Sequence, residues 1–94
     1  MSKLEEKLIE LGYECYGLSL NGYCYNKRVN GRVDLKIIYD KTYRNRINGW
    51  EVNYYPVSVT SQQDIDNLQQ AFNEMQKDLE VLKEYEWYIT RIIR

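Results

Sequence analysis

Between Ser61 and Ile92, apolar residues recur at Ile65, Leu68, Phe72, Met75, Leu79 and Leu82. The alternating steps of three and four place all six on one stripe of a helix. The step then slips by one residue and the stripe resumes at Tyr85, Ile89 and Ile92. Ser61 is a natural N-cap, Asp64 stands where a short-armed capping-box partner would, and neither Gly nor Pro interrupts the run. The pattern predicts one long amphipathic helix from Gln62 to Ile92, about 46 Å at 1.5 Å per residue. Strands of six to eight residues reach only about 20–27 Å. The far half of such a helix overhangs any sheet, with too much apolar surface to leave wet. Leu79, Leu82, Tyr85, Trp87, Tyr88, Ile89 and Ile92 are therefore the expected seam of a homodimer, unless Trp87 to Ile93 bends back as a strand.

Upstream the period is different. Ser2 and Glu5 form a capping box for a short first helix with Leu4, Leu8 and Leu11 inward, Ile9 widening the apolar face, and Gly12 as its stop. From Tyr13 the period falls to two, which predicts a first strand to Leu18, an Asn21-Gly22 turn and a second strand from Tyr23 to Val29. Asn30-Gly31 then predicts a two-residue hairpin pairing Val29 with Arg32, Lys27 with Asp34, Tyr25 with Lys36 and Tyr23 with Ile38. Strand three, Val33 to Asp40, sends Val33, Leu35, Ile37 and Tyr39 to one face and Asp34 and Lys36 to the other. Lys41 to Gly49 reads as a basic connection. Trp50 to Tyr55 reads as a fourth strand, with Trp50, Val52 and Tyr54 on one face, stopped by Pro56. The half-buried alternation implies an antiparallel sheet with one face on a core. The fold expected is a single α+β domain over residues 1–94: short N-terminal helix, four antiparallel strands, long C-terminal helix.

Charge sharpens this picture. The net charge is −1, which argues against bulk electrostatic attraction to nucleic acid or anionic membrane. Residues 21–50 nevertheless carry seven Lys/Arg against two Asp, and residues 61–86 seven acids against two Lys. Sheet and last helix are thus expected side by side. The start, Lys3-Leu4-Glu5-Glu6, is unlike a secretory leader, and no apolar run nears the roughly 20 residues of a membrane span. The expected location is the cytoplasm. Cys15 and Cys24 are expected to be buried free thiols rather than a disulfide framework or a metal pair.

The chain has no histidine, no acids at metal spacing and no glycine-rich phosphate loop, so an enzyme constellation has little to assemble from. Asp34 and Asp40 are paired carboxylates only in principle. Neither a catalytic role, a metal nor a cofactor is expected. Ten tyrosines and two tryptophans suit contact surfaces, although sheets favour tyrosine in any case. The sharpest candidate is the basic loop Lys41-Thr-Tyr-Arg-Asn-Arg46, whose three cations and tyrosine can grip a phosphate or an acidic protein surface. The expected partner-binding set is Tyr39, Lys41, Tyr43, Arg44, Arg46, Trp50 and Tyr55. A nucleic-acid groove would extend it along Arg28, Arg32 and Lys36.

Ser2-Lys-Leu-Glu-Glu-Lys-Leu-Ile-Glu-Leu-Gly-Tyr-Glu14 and the run from Ser61-Gln-Gln-Asp-Ile-Asp-Asn-Leu-Gln-Gln-Ala-Phe to Glu86 resemble a group of small proteins of Gram-positive bacterial phages and prophages. The two stretches cover about two fifths of the chain; members of the group often stop near the position of Glu86, so Trp87 to Arg94 depart from the group's pattern. The group has no assigned activity. The resemblance implies a phage setting within a bacterial host, where small non-enzymatic proteins inhibit defence by binding, anti-CRISPR proteins among them. The expected function is therefore a phage-encoded inhibitor of a host defence protein, with a Cas nuclease or its guide complex as candidates. The alternatives are an oligomeric sponge for a nucleotide signal and a small nucleic-acid-binding regulator.

Overall fold

The computed structural model describes residues 2–19, 22–40, 46–55 and 58–86. The elements are α1 (Lys3–Glu10), β1 (Glu14–Ser19), β2 (Gly22–Asn30), β3 (Val33–Asp40), β4 (Arg46–Tyr54) and α2 (Gln62–Lys83). The strands form one antiparallel sheet in sequence order, and both helices pack on one face of it, giving the α+β architecture that the patterning predicts. Val33, Leu35, Ile37 and Tyr39 of β3 are all 1% exposed or less. They meet Leu4 and Leu8 of α1, Tyr13 and Tyr25, and Ala71, Met75 and Leu82 of α2 in one core.

Both capping boxes form. Ser2 Oγ accepts from the Glu5 N–H at 3.1 Å while Glu5 Oε1 accepts from the Ser2 N–H at 3.0 Å. Ser61 Oγ accepts from the Asp64 N–H at 3.2 Å, and Asp64 Oδ2 accepts from the Ser61 N–H at 3.1 Å. Each capping carboxylate also receives a tyrosine hydroxyl from the sheet: Tyr25 donates to Glu5 at 3.0 Å, and Tyr54 donates to Asp64. Tyr39 Oη and Ser2 Oγ lie 2.9 Å apart. Tyr13 donates to Asp78 at 2.8 Å. Four of the ten tyrosines thus act as struts from the sheet or its approach to the helices, which accounts for much of the excess.

Three boundaries depart from the expectation. The hairpin register is one residue away from the predicted one: Asn30 pairs Val33 across Gly31-Arg32, and a bulge at Val29 then sets Arg28 opposite Asp34 and Lys27 opposite Leu35. The Asn30 side chain helps set this turn by accepting the Arg32 N–H at 2.9 Å. The shift carries Lys27 to the helix-covered face. β4 begins at Arg46 rather than Trp50, because Asn48 bulges and lets Ile47 pair with Tyr39 and Gly49 with Ile38. The helix ends at Lys83 instead of Ile92. Beyond it Tyr85 packs on the core beneath the Lys7 ammonium, 5.6 Å from its ring, and Glu86 Oε1 accepts the Ile47 N–H at 2.6 Å. Both contacts draw the chain off the helical path.

α2 is also turned about its axis relative to the predicted stripe. Its buried residues are Asp64, Ala71, Met75, Asp78 and Leu82, while Ile65 and Phe72 are 42% and 47% exposed. Asp78 explains the rotation. Lys27 Nζ lies 2.6 Å from Asp78 Oδ2 and 3.0 Å from Glu74 Oε2, donates to the Leu11 carbonyl at 3.1 Å, and sits 4.8 Å over the Tyr13 ring. One ammonium therefore ties β2, the end of α1 and α2 together. Cys15 is exposed, against the expectation of burial, since its edge strand reaches beyond the helices; Cys24 is half-buried.

Two predictions follow from these ties. Lys27→Met leaves the Asp78 carboxylate buried without its cation and should cost about 3–5 kcal/mol of stability. Lys27→Met with Asp78→Leu and Tyr13→Phe should recover most of that loss in chemical denaturation, because the buried carboxylate and hydroxyl then leave together with their cation. Burial first, and then the hydrogen bonds to Asp78 and Glu5, push the Tyr13 and Tyr25 hydroxyls well above the ordinary tyrosine pKa of 10.0. The native state holds these protons more tightly than the unfolded chain, so their contribution is full below about pH 10 and is lost as pH rises beyond it. Burial raises the Tyr39 and Tyr54 hydroxyls as well, so spectrophotometric titration should show a late group of tyrosines, and Tyr13→Phe/Tyr25→Phe should shrink that group by two.

Candidate partner-binding face

The alternation that buries Val33, Leu35, Ile37 and Tyr39 sends Asp34, Lys36, Ile38 and Asp40 to the opposite face of the sheet. Asn26 and Arg28 of β2 and Glu51 and Asn53 of β4 join them by register. Neither helix covers this face. At its hairpin end Arg28 Nε donates to Asp34 Oδ1 at 2.7 Å and Nη2 to Oδ2 at 3.1 Å, a bidentate pair. That pairing holds the guanidinium above its ordinary pKa, and the hydroxyls of Tyr16 and Tyr55 are close enough to add to the effect. Tyr16 is 68% exposed and Tyr55 54%. The Tyr55 N–H donates to the Arg32 carbonyl at 2.7 Å, which fixes it beside the turn.

Arg28, Asp34 and Tyr55 thus lie at the hairpin end of this face, with Tyr16 on the same face beside the Cys15–Tyr25 pair of the β1 edge. Beside them is a hollow of about 350 Å³, with Gly12, Glu14 and Tyr16 on one side and Asn26, Lys27, Arg28 and Asp34 on the other. Asn26 Oδ1 is buried there without a hydrogen-bond partner among the described residues. The patch offers two exposed aromatic faces with polar tips and a planar cation whose charge is already matched. Such a surface can stack, donate hydrogen bonds and be dried without stranding a charge.

The predicted set is dispersed. Tyr39 is core, 1% exposed and held against Ser2, which corrects its assignment as a contact residue: its position on the apolar side of β3 places it under the helices. Trp50 (47% exposed) pairs with Ile37 and so belongs to the helix-covered face, the opposite face from Tyr55. Arg46 is half-buried opposite Asp40, its Nε buried without a partner among the described residues. Lys41, Tyr43 and Arg44 lie outside the described residues. Asp40 is six residues from Asp34, about 20 Å along the strand, so Arg46 and the Arg28 patch mark opposite ends of the sheet. The expected dimer seam is likewise redistributed. Leu82 is fully buried and Leu79 and Tyr85 pack against the core, so these three serve their own protomer. Trp87, Tyr88, Ile89 and Ile92 lie outside the described residues.

Tyr16 carried no distinguishing signal in the sequence, and Arg28 stood out only as an extension of a basic track. That track is neutralised: Arg28 pairs with Asp34, Arg32 with Asp64 at 3.5 Å and Lys36 with Glu51 at 3.7 Å. Asp64 itself is held well below the usual carboxylate range, first by the Tyr54 hydroxyl and then by the Thr60 N–H. Among the described residues no group of three His, Cys, Asp or Glu could hold a metal ion, and no helix is long and apolar enough to cross a membrane. Comparison with protein families, with curated proteins and with solved structures finds no match to this chain.

Proposed function

We propose that this protein acts by binding another protein and blocking it sterically, without catalysis, through the Tyr16–Arg28–Tyr55 patch. The patch is the observation that carries the reading. Tyrosine and arginine are the residue types over-represented where binding energy concentrates, and here the arginine is held in place by its bidentate pair with Asp34. The Asp34-matched guanidinium favours a protein surface of mixed charge over a polyphosphate, and the pairing of Arg32 and Lys36 removes the continuous basic groove a nucleic acid would follow.

The resemblance of residues 2–14 and 61–86 to phage proteins supports a target in the bacterial host. A defence protein is the target class proposed, with a Cas nuclease or its guide complex tested first and the host cytoplasm as the setting. Native mass spectrometry of the tagged protein recovered from a Gram-positive host lysate should give a stoichiometric complex with one large host protein. Against that purified target, Tyr16→Ala and Tyr55→Ala should each weaken binding about 30-fold, the effect of losing a hot-spot side chain of about 2 kcal/mol. Circular dichroism should be unchanged, because both side chains are exposed. Affinity unaltered in the double variant would move the site off this face. Recovery of the chain with only a few hundred daltons of added mass, on the order of one small ligand, would replace the inhibitor with the small-molecule sponge.

A further inference from the structure

The two edges of the sheet are treated differently. β1 is broken by a bulge between Cys15 and Leu18, where Gly17 takes φ 109°, a device that spoils an edge as a template for further pairing. β4 has no such break from Trp50 to Tyr54; its bulge lies earlier, at Asn48. The Tyr55 N–H bonds to Arg32 on β3, and antiparallel pairs alternate, so Trp50, Val52 and Tyr54 turn their N–H and C=O groups away from β3 toward the open edge.

Beside this edge runs a second unusual strip. Gln62, Ile65, Gln69, Phe72 and Gln76 follow one another at steps of three and four along α2, all exposed and none ionised. The helix's Glu74 and Asp78 point the other way, to Lys27 on β2, so this flank, uncharged from Gln62 to Gln76, looks outward past β4, and Lys77 and Glu80 border it beside Trp50. Trp50 and Phe72 are each 47% exposed and Ile65 42%. A solvent-facing helix flank is ordinarily charged, and loss of charge with retained aromatics is the composition of an interface centre.

We propose that the β4 edge and the α2 flank join two copies of this chain about a twofold axis, with β4 pairing antiparallel to β4 of the second copy. Pairing centred on Val52 sets Trp50 opposite Tyr54 and Glu51 opposite Asn53 of the second copy, with no like charges opposed. The helices fit the same arrangement. α2 contacts both β3 and β4, and its mirror lies over the same pair in the second sheet. The two helix axes are then two strand spacings apart, about 10 Å, which is the distance at which helices pack. Going from Tyr54 to Val52 advances about 7 Å along β4, as far as four to five residues of helix from Asp64, so Gln69 stands level with the axis. Ile65 and Phe72 then flank it on either side. This surface is separate from the open sheet face, and either assignment stands without the other.

Sedimentation velocity over a wide concentration range should show a dimer of twice the 11.4 kDa protomer mass. Ile65→Lys/Phe72→Lys should weaken it at least about 30-fold. Val52→Pro, which removes an outward N–H that the protomer does not use, should do the same with the helical signal retained. Hydrogen exchange should show the Trp50, Val52 and Tyr54 amides protected in proportion to dimer. A monomer at every concentration would overturn the proposal, as would a dimer indifferent to both variants. Protection of those amides independent of concentration would assign the edge to the chain's own residues beyond Glu86.

Discussion

The Lys27 ammonium is the point on which the arrangement of this protein turns. Four partners converge on it: the Asp78 and Glu74 carboxylates of α2, the Leu11 carbonyl at the end of α1, and the Tyr13 ring before β1. A lysine with 11% of its side chain exposed needs its charge matched and its protons placed, because desolvation otherwise costs several kcal/mol. Those demands can be met in only one relative placement of sheet and helices. Apolar contact between a helix and a sheet is tolerant of rotation and slippage; this polar knot is not. It also selects the hairpin register, since the predicted pairing would have set Lys27 opposite Asp34, on the open face, and left Asp78 buried without its cation.

The same logic recurs at the helix starts. Glu5 and Asp64 each close a capping box and each accept a tyrosine hydroxyl from the sheet, so local and tertiary structure are fixed by one carboxylate. Among the described residues the three buried carboxylates are Glu5, Asp64 and Asp78. All three are spent on holding helices to strands.

Local chemistry was legible in the sequence wherever it acts over a few residues. Both capping boxes, the Gly12 stop, the two-sided pattern of Val33–Asp40 and the overall α+β order could be read directly. What could not be read was set by partners far along the chain. The bulge at Val29 depends on Lys27 reaching Asp78, and the early start of β4 depends on a bulge at Asn48 that composition presents as a turn. The end of α2 reflects what Tyr85 and Glu86 find on α1 and β4. The candidate patch was the least legible part. Tyr16 and Tyr55 are separated by 39 positions, and only the four-stranded fold puts both on one face.

The rotation of α2 shows why its exposed flank is informative. Two stripes with identical three-four spacing were available: Ile65, Leu68, Phe72, Met75, Leu79, Leu82 and, one residue back at alternate steps, Asp64, Leu68, Ala71, Met75, Asp78, Leu82. Hydrophobic burial alone favours the first, by about 1.5–3 kcal/mol for each large side chain taken fully out of water. The chain adopts the second, with about half of the Ile65 and Phe72 surface exposed. Lys27, Tyr13, Tyr54 and the small Ala71 against the sheet account for the inward stripe. They do not account for Ile65 and Phe72 on the other, or for the absence of any charge between them. A flank that only faced water would lose nothing by carrying Glu and Lys there, and would gain solubility. Contact with a second α2, through apolar anchors and amides that can donate or accept in either copy, gives a physical reason for both features.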